Sequence, residues 1–215
     1  MPRIIDLSHP ISHAMPVFPG DPEVSFEQIH SITEIGYNVT RVCIGTHSGT
    51  HIDVPRHCLD DERGADSVLL DALVGWAEVL DLTDRPATAE ITATDLDVFA
   101  NRVEECSRVL IKTGWSARFG KDEFFTDFPG ITKDAALWLA ARKVKLLGIE
   151  QPSVHAQHHL EVHKILLSTG MVLVESVANL DKVTQDRVYL IALPLRMVGL
   201  DGAPTRVIAV EGQLI

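Results

Sequence analysis

From about residue 78 to the end of the chain, apolar β-type runs alternate with helical patterns, and this alternation limits the fold more than any other feature. Glu78 to Leu82 reads as a strand. Thr92 or Thr94 can cap a helix running towards Asn101, and Val109 to Thr113 is a strand ended by Gly114. Thr132 opens a helix of small and apolar residues at helical spacing, with Trp138 in its middle as a core residue. Val144 to Ile149 is a strand, Leu160 to Leu167 a helix closed by Gly170, and Met171 to Glu175, Arg187 to Leu193 and Thr205 to Val210 are further strands. Strands separated by helices need crossover connections, so at least part of the sheet should be parallel in a layered α/β architecture.

The N-terminal third differs. Ile4 to Leu7 and Tyr37 to Ile44 carry strand signals, and the three prolines and one glycine of Met15 to Pro22 make an ordered loop between them. No stretch is rich enough in Gly, Ser or Pro to act as a linker, and 215 residues can bury a full core, so residues 1–215 are expected to form one domain. The net charge of -11 disfavours nucleic acid and membrane surfaces. No run approaches the ~20 apolar residues of a bilayer span. The start of the chain lacks the apolar run of a signal peptide, and three cysteines form no paired spacing, so a reducing, cytoplasmic setting is expected.

The ten histidines are unevenly spread. His47, His51 and His57 fall within His47-Ser48-Gly49-Thr50-His51-Ile52-Asp53-Val54-Pro55-Arg56-His57. Imidazole nitrogen and carboxylate oxygen are the usual ligands of zinc and related divalent ions. In extended backbone, His51 and Asp53 point to the same side, because side chains alternate with period two. A turn at Ser48-Gly49 can return His47 to the same ion, while His57 lies close by without being needed as a ligand. Clustered surface or core histidines are the bland alternative, but three His and an Asp in eleven residues favour a metal.

Three local ligands would gain from others elsewhere in the fold. Glu150, His155, His158, His159, Glu161, His163 and Glu175 are the candidates. Glu175 ends an apolar strand, where a carboxylate is costly unless paired or bound to a cation. His163 lies on the helix just before that strand, and Glu150 ends a similar one. His155, His158 and His159 read more simply as a polar loop, and their roles stay open. His9, His13 and His30 read as structural or exposed. Cys58 reads as a small packed residue.

The run His47 to His57 resembles the pattern His-x-Gly-Thr-His-x-Asp-x-Pro-x-His of the bacterial kynurenine formamidase and cyclase family, which also contains isatin hydrolase; every fixed position matches. Pro19-Gly20-Asp21, the spacing of His163 and Glu175, Leu193-Pro194-Leu195 and Gly202 to Arg206 are similar too, so the resemblance covers nearly the whole chain. It implies a swivelling β/β/α-type single domain with a mixed sheet flanked by helices, and a homo-oligomer, dimer or tetramer. It implies that His47, His51 and Asp53 bind a first ion. His163 and Glu175 would complete that site or bind a second ion, with Asp53 or Glu175 bridging, and His57 would be the acid/base residue. One or two divalent ions are expected, Zn2+ first and Mn2+ second. The activity implied is hydrolysis of a small-molecule amide C–N bond, best read as an arylformamidase of tryptophan catabolism that converts N-formylkynurenine to kynurenine and formate. A cyclic-amide or lactone hydrolase like isatin hydrolase, or a non-catalytic metal-binding protein, are the alternatives. The chain has Phe18 where these formamidases often carry Trp, and His155 where they tend to have Asp; both fall where substrate contacts are expected. Phe18 is the first candidate for an aromatic wall, with Trp76, Trp115 and Phe119 as further ones.

Overall fold

A strand buried on both faces shows no polar alternation, and the unbroken apolar runs of this chain are such strands. The structure, a computed structural model, describes residues 1–61, 63–86 and 88–212. Its strands are β1 Arg3–Asp6, β2 Ser25–His30, β3 Val39–Cys43, β4 His51–Asp53 and β5 Val74–Asp81, followed by β6 Arg108–Lys112, β7 Leu146–Ile149, β8 Val172–Glu175, β9 Arg187–Pro194 and β10 Gly202–Glu211. The helices are α1 Ile32–Ile35, α2 Leu70–Leu73, α3 Ala93–Asp97, α4 Ala100–Glu105, α5 Lys133–Ala141 and α6 His159–Ser168.

Eight strands form one sheet in the order β1-β10-β4-β8-β7-β6-β5-β9, and β9 also pairs with β10. That last pairing closes the seven strands from β10 to β9 into a barrel-like ring, with β1 continuing the edge of β10 beyond β4. The pairings β5–β6, β6–β7 and β7–β8 are parallel and the others antiparallel, so the sheet is mixed. The α/β class and a partly parallel sheet thus match the sequence expectation. Strands β2 and β3 pair only with each other, as a separate hairpin.

Alternation along each strand divides the core in two. Ile52, Val79, Leu110, Leu146, Val174, Leu190 and Ala203 point into the ring. Their neighbours Leu80, Val109, Ile111, Leu147 and Leu173 point outward, where Ala135 and Leu139 of α5 and Val162 and Leu166 of α6 cover them. Small residues such as Ala77, Ala192, Ala203 and Ala209 suit the narrow interior.

The expected helix from Thr92 to Asn101 is instead two helices. Thr92 caps α3, its side chain accepting from the Asp95 backbone N–H while Asp95 reaches back. Helix α3 stops at Val98, and Phe99, with ψ near 5°, begins α4. The break lets Phe99 pack on the outer core and leaves Val98 in solvent. Strand β2, where no strand was expected, is half of an exposed hairpin and carries no buried face to betray it.

Candidate metal centre

Strand β4 is three residues long and wholly buried between β10 and β8. The chain enters it through a turn at Gly49, whose φ of +63° is a left-handed conformation that glycine adopts without strain. Ile52 points into the ring, so His51 and Asp53 face outward, towards α6. In the antiparallel register, His51 lies directly opposite Glu175 of β8. Pro55 to His57 then form a tight turn, with the His57 N–H bonded to the Val54 carbonyl at 2.8 Å. This brings His57 back beside His47, ring centroids 4.2 Å apart, and within 5.2 Å of the His163 ring. His163 sits one turn into α6, on its buried face with Val162 and Leu166.

Two carboxylates share these imidazoles oxygen by oxygen. Asp53 Oδ1 is 2.8 Å from His47 Nδ1 and 3.3 Å from His51 Nε2, and Glu175 Oε2 is 3.6 Å from the same His51 nitrogen. On the other side, His163 Nε2 is 3.3 Å from both Asp53 Oδ2 and Glu175 Oε1. The tautomers follow from the outer contacts. His51 Nδ1–H donates to the Gly49 carbonyl and His163 Nδ1–H to the His159 carbonyl, each at 2.9 Å. A carbonyl can only accept, so in the neutral form of each ring the Nε2 lone pair faces the carboxylates. Asp53 Oδ2, His163 Nε2 and Glu175 Oε1 are buried with no hydrogen-bond partner. Lone pairs and anionic oxygens turned on one another in a buried space are costly without a cation between them, so the donor set fits a divalent ion.

Electrostatics agree. Burial and the charge of Asp53 push the Glu175 carboxyl up. Asp53 is penalised by burial, yet the surrounding imidazoles, His47 foremost, hold its pKa well below the ordinary value. Burial opposes a charge on His47 and His163. The carboxylates outweigh it and raise both to about 10, so without a metal the centre holds protons in place of a cation. Burial leads in lowering the pKa of His57, with His47 and His163 adding to it, so its imidazole is neutral near pH 7. The Cys58 thiol is pushed up to about 11 by burial and by Asp53 and Glu175, which suits a packing residue rather than a nucleophile.

A cavity of about 360 Å³ opens onto the cluster, lined by His47, His51, His57, His163 and Glu175 on one side and by Phe18, Pro19, Gly20, Asp21, Pro152, Ser153 and His159 on the other. Phe18 rests edge-on against Phe125 at the cavity wall, with centroids 6.1 Å apart. Trp76, Trp115 and Phe119 do not line this cavity. Trp115 is buried with Phe124 and Phe128, Phe119 stacks on His9, and Trp76 stands edge-on to Tyr189. Glu150 is also elsewhere: it accepts from the Thr113 and Gly114 backbone N–H groups and from the hydroxyls of Thr113 and Ser116. His155 packs against Gly130, and its Nδ1 accepts from the Gln157 and His158 backbone N–H groups, so it shapes the loop before α6 and makes no part of the cavity wall. His158 stands edge-on to His155, and Glu161 pairs with Lys133 on the surface. His13 accepts from the Phe26 backbone, and His30 lies edge-on to Tyr37 on the exposed hairpin.

One residue that sequence reasoning passed over stands beside the cluster. Asp201 Oδ2 is 2.9 Å from His47 Nε2. It immediately precedes the Gly202 to Arg206 stretch, which was the only available signal.

The comparisons with known proteins point the same way. The family model described as "Putative cyclase" matches residues 5–156. A kynurenine formamidase of Erythrobacter litoralis is 36% identical over 212 residues, covering 97% of this chain and 94% of that protein. A solved structure described as a potential metal-dependent hydrolase with cyclase activity superposes with a TM-score of 0.83 at 29% identity, covering 100% of both chains. An isatin hydrolase bound to the product analogue thioisatinate shares the fold, with a TM-score of 0.88 at 22% identity over 99% of this chain and 93% of that one. The eleven-residue motif, the match over residues 5–156 and the relatives that span nearly the whole chain agree, and the chain belongs to the cyclase family.

Proposed function

We propose that this protein is a metal-dependent hydrolase of a small-molecule amide C–N bond, acting as an arylformamidase that converts N-formylkynurenine to kynurenine and formate. The observation that carries this reading is the set of three orphaned donor atoms on Asp53, His163 and Glu175, buried at the floor of an open cavity. The similarity to kynurenine formamidases supports the substrate class. In this reading His47, His51 and Asp53 would hold one ion, and His163 and Glu175 would complete that site or hold a second. Zn2+ is the first choice and Mn2+ the second.

A divalent ion bound there supplies an acidified water and a Lewis acid for the carbonyl oxygen. The protein's own groups do the rest. The neutral His57 imidazole takes a proton from the water and gives it to the departing nitrogen. Phe18 offers an aromatic face to the substrate's ring, and the cavity volume suits a molecule of that size.

The same reading treats residues 1–215 as one domain with the family's swivelling β/β/α arrangement, at work in the cytoplasm as a homo-oligomer, dimer or tetramer. The hairpin supports association, because Ile29, Tyr37, Val39 and Val42 are exposed on it. No helix of the described residues is long and apolar enough to cross a membrane. The deciding experiment strips the protein with a chelator and assays N-formylkynurenine and isatin before and after zinc or manganese is restored. Metal-dependent formamide turnover is expected. Full activity in stripped protein would overturn the mechanism, and ring opening of isatin alone would reassign the substrate.

A further inference from the structure

We propose that Asp201 is a positioning residue that fixes the two imidazoles flanking the metal centre, His47 and His57, through a single carboxylate oxygen. The proposal rests on the roles given to those histidines above. Asp201 stands in the connection between β9 and β10, just before Gly202. Its backbone is tied to the segment that carries His57: the Asp201 carbonyl accepts from Val54, the Leu200 carbonyl from Ala65, and the Gly199 N–H donates to Asp66. The carboxylate's other oxygen, Oδ1, accepts from the Thr46 hydroxyl at 3.2 Å. With the group held at both ends, Oδ2 lies 2.9 Å from His47 Nε2 and 3.8 Å from His57 Nδ1.

These distances divide the work. Asp201 lines neither the cavity nor any of the clusters of potential ligands, so it does not itself reach the ion or the substrate. It acts on the far side of His47, whose Nδ1 faces Asp53. A lone pair offered to a cation from Nδ1 requires the proton to sit on Nε2, and a carboxylate at 2.9 Å is a strong acceptor for it. For His57, 3.8 Å is too long for a hydrogen bond, but a carboxylate on that side of the neutral ring still favours the tautomer with the proton on Nδ1. That tautomer leaves Nε2 free to take a proton. Gly202 completes the arrangement, because a Cβ there would come within 2.8 Å of His47 Cε1.

The test compares wild type with Asp201→Ala and Asp201→Asn. Zinc affinity is read by competition with a chromophoric chelator, which needs no substrate, and kcat and KM for N-formylkynurenine are read at saturating zinc. Loss of the carboxylate behind His47 is expected to weaken zinc binding by about 10- to 100-fold and to lower kcat by about tenfold or more, with KM nearly unchanged. Thermal melting of the metal-free variants checks folding, and Asp201→Asn, nearly isosteric, serves if the alanine variant does not fold. A folded variant with wild-type zinc affinity and wild-type kcat overturns the proposal. Weakened zinc binding with unchanged kcat overturns the His57 half of it. Wild-type protein that binds zinc but leaves the formamide untouched overturns the proposed reaction instead, and the affinity comparison still decides the His47 half.

Discussion

Asp53 turns one oxygen to His47 and His51 and the other to His163, and Glu175 repeats the pattern, so removing either carboxylate disturbs both halves of the centre. His57 stands apart from this sharing. Replacing it by alanine should leave bound zinc in place, as elemental analysis would show, while kcat falls by about 100- to 10,000-fold, the usual worth of a positioned acid/base group. Loss of zinc with unchanged turnover per ion would make His57 a ligand. A second expectation concerns protons. His47 and His163 are raised to about 10 in the metal-free centre, so their pairing stabilises that state fully below the ordinary imidazole value of 6.5 and ceases to do so as pH climbs through about 10. Metal must displace those protons. Zinc affinity should therefore rise with pH between 6 and 9, and calorimetry in buffers of different ionisation enthalpy should detect proton release. Pairing that held the metal-free state only at high pH would reverse both signs. At this scale His47, His51 and Asp53 were legible because they are close in sequence and chemically alike. Asp201 was not, since an aspartate in a connection has no pattern of its own and gains meaning only from the His47 ring 154 residues away.

Among the elements, the short β4 carries His51 and Asp53 and sets the positions of their partners. Its place between β8 and β10 aligns His51 with Glu175 and sets Gly202 opposite Asp53. A Cβ at Gly202 would meet the Ile52 carbonyl at 2.6 Å before His47 Cε1 at 2.8 Å, so Gly202→Ala should part β10 from β4, displace His47 and weaken zinc binding without removing any ligand; chelator competition would measure the loss, and unchanged affinity would mean that both neighbours have room to move. Glu150 shows the opposite use of a strand-end carboxylate. It satisfies the Thr113 and Gly114 N–H groups across the β6–β7 pair, so Glu150→Ala should lower the melting temperature with zinc content intact. Both Glu150 and Glu175 end apolar strands, and from sequence both were candidate ligands. Only their surroundings separate them: backbone donors meet Glu150, whereas imidazole nitrogens meet Glu175. The helix starting at Thr92 was foreseen, but its break at Phe99 was not, because the break serves packing against an outer core that no local window contains.

Across the whole molecule, closure of the ring holds the two distant halves of the site together. Glu211, at the end of β10, binds Arg3 of β1 and accepts from the Thr184 and Gln185 N–H groups ahead of β9, joining both ends of the chain to the closing pair. Burial works against the Glu211 carboxylate, but those N–H donors prevail and hold its pKa below the ordinary 4.5. A depressed carboxyl stabilises the fold above its unfolded value and stops doing so as pH falls through its folded one. Glu211→Gln should accordingly melt at a lower temperature than wild type at pH 7, with the gap narrowing on acidification below pH 4; a gap independent of pH would sink this account. The alternation of strand and helix after residue 78, the apolar runs buried on both faces and the eleven-residue motif were enough by themselves to specify the α/β class, a partly parallel sheet and the chemistry of a metal centre, because each depends on neighbours a few positions apart. The pairing of β9 with β10, the meeting of His163 and Glu175 with the early motif, and the different fates of Glu150, His155 and Asp201 were decided by tertiary structure alone. Each is a contact between residues far apart in the chain, and the free energy of such a contact depends on what the folded surroundings place beside it.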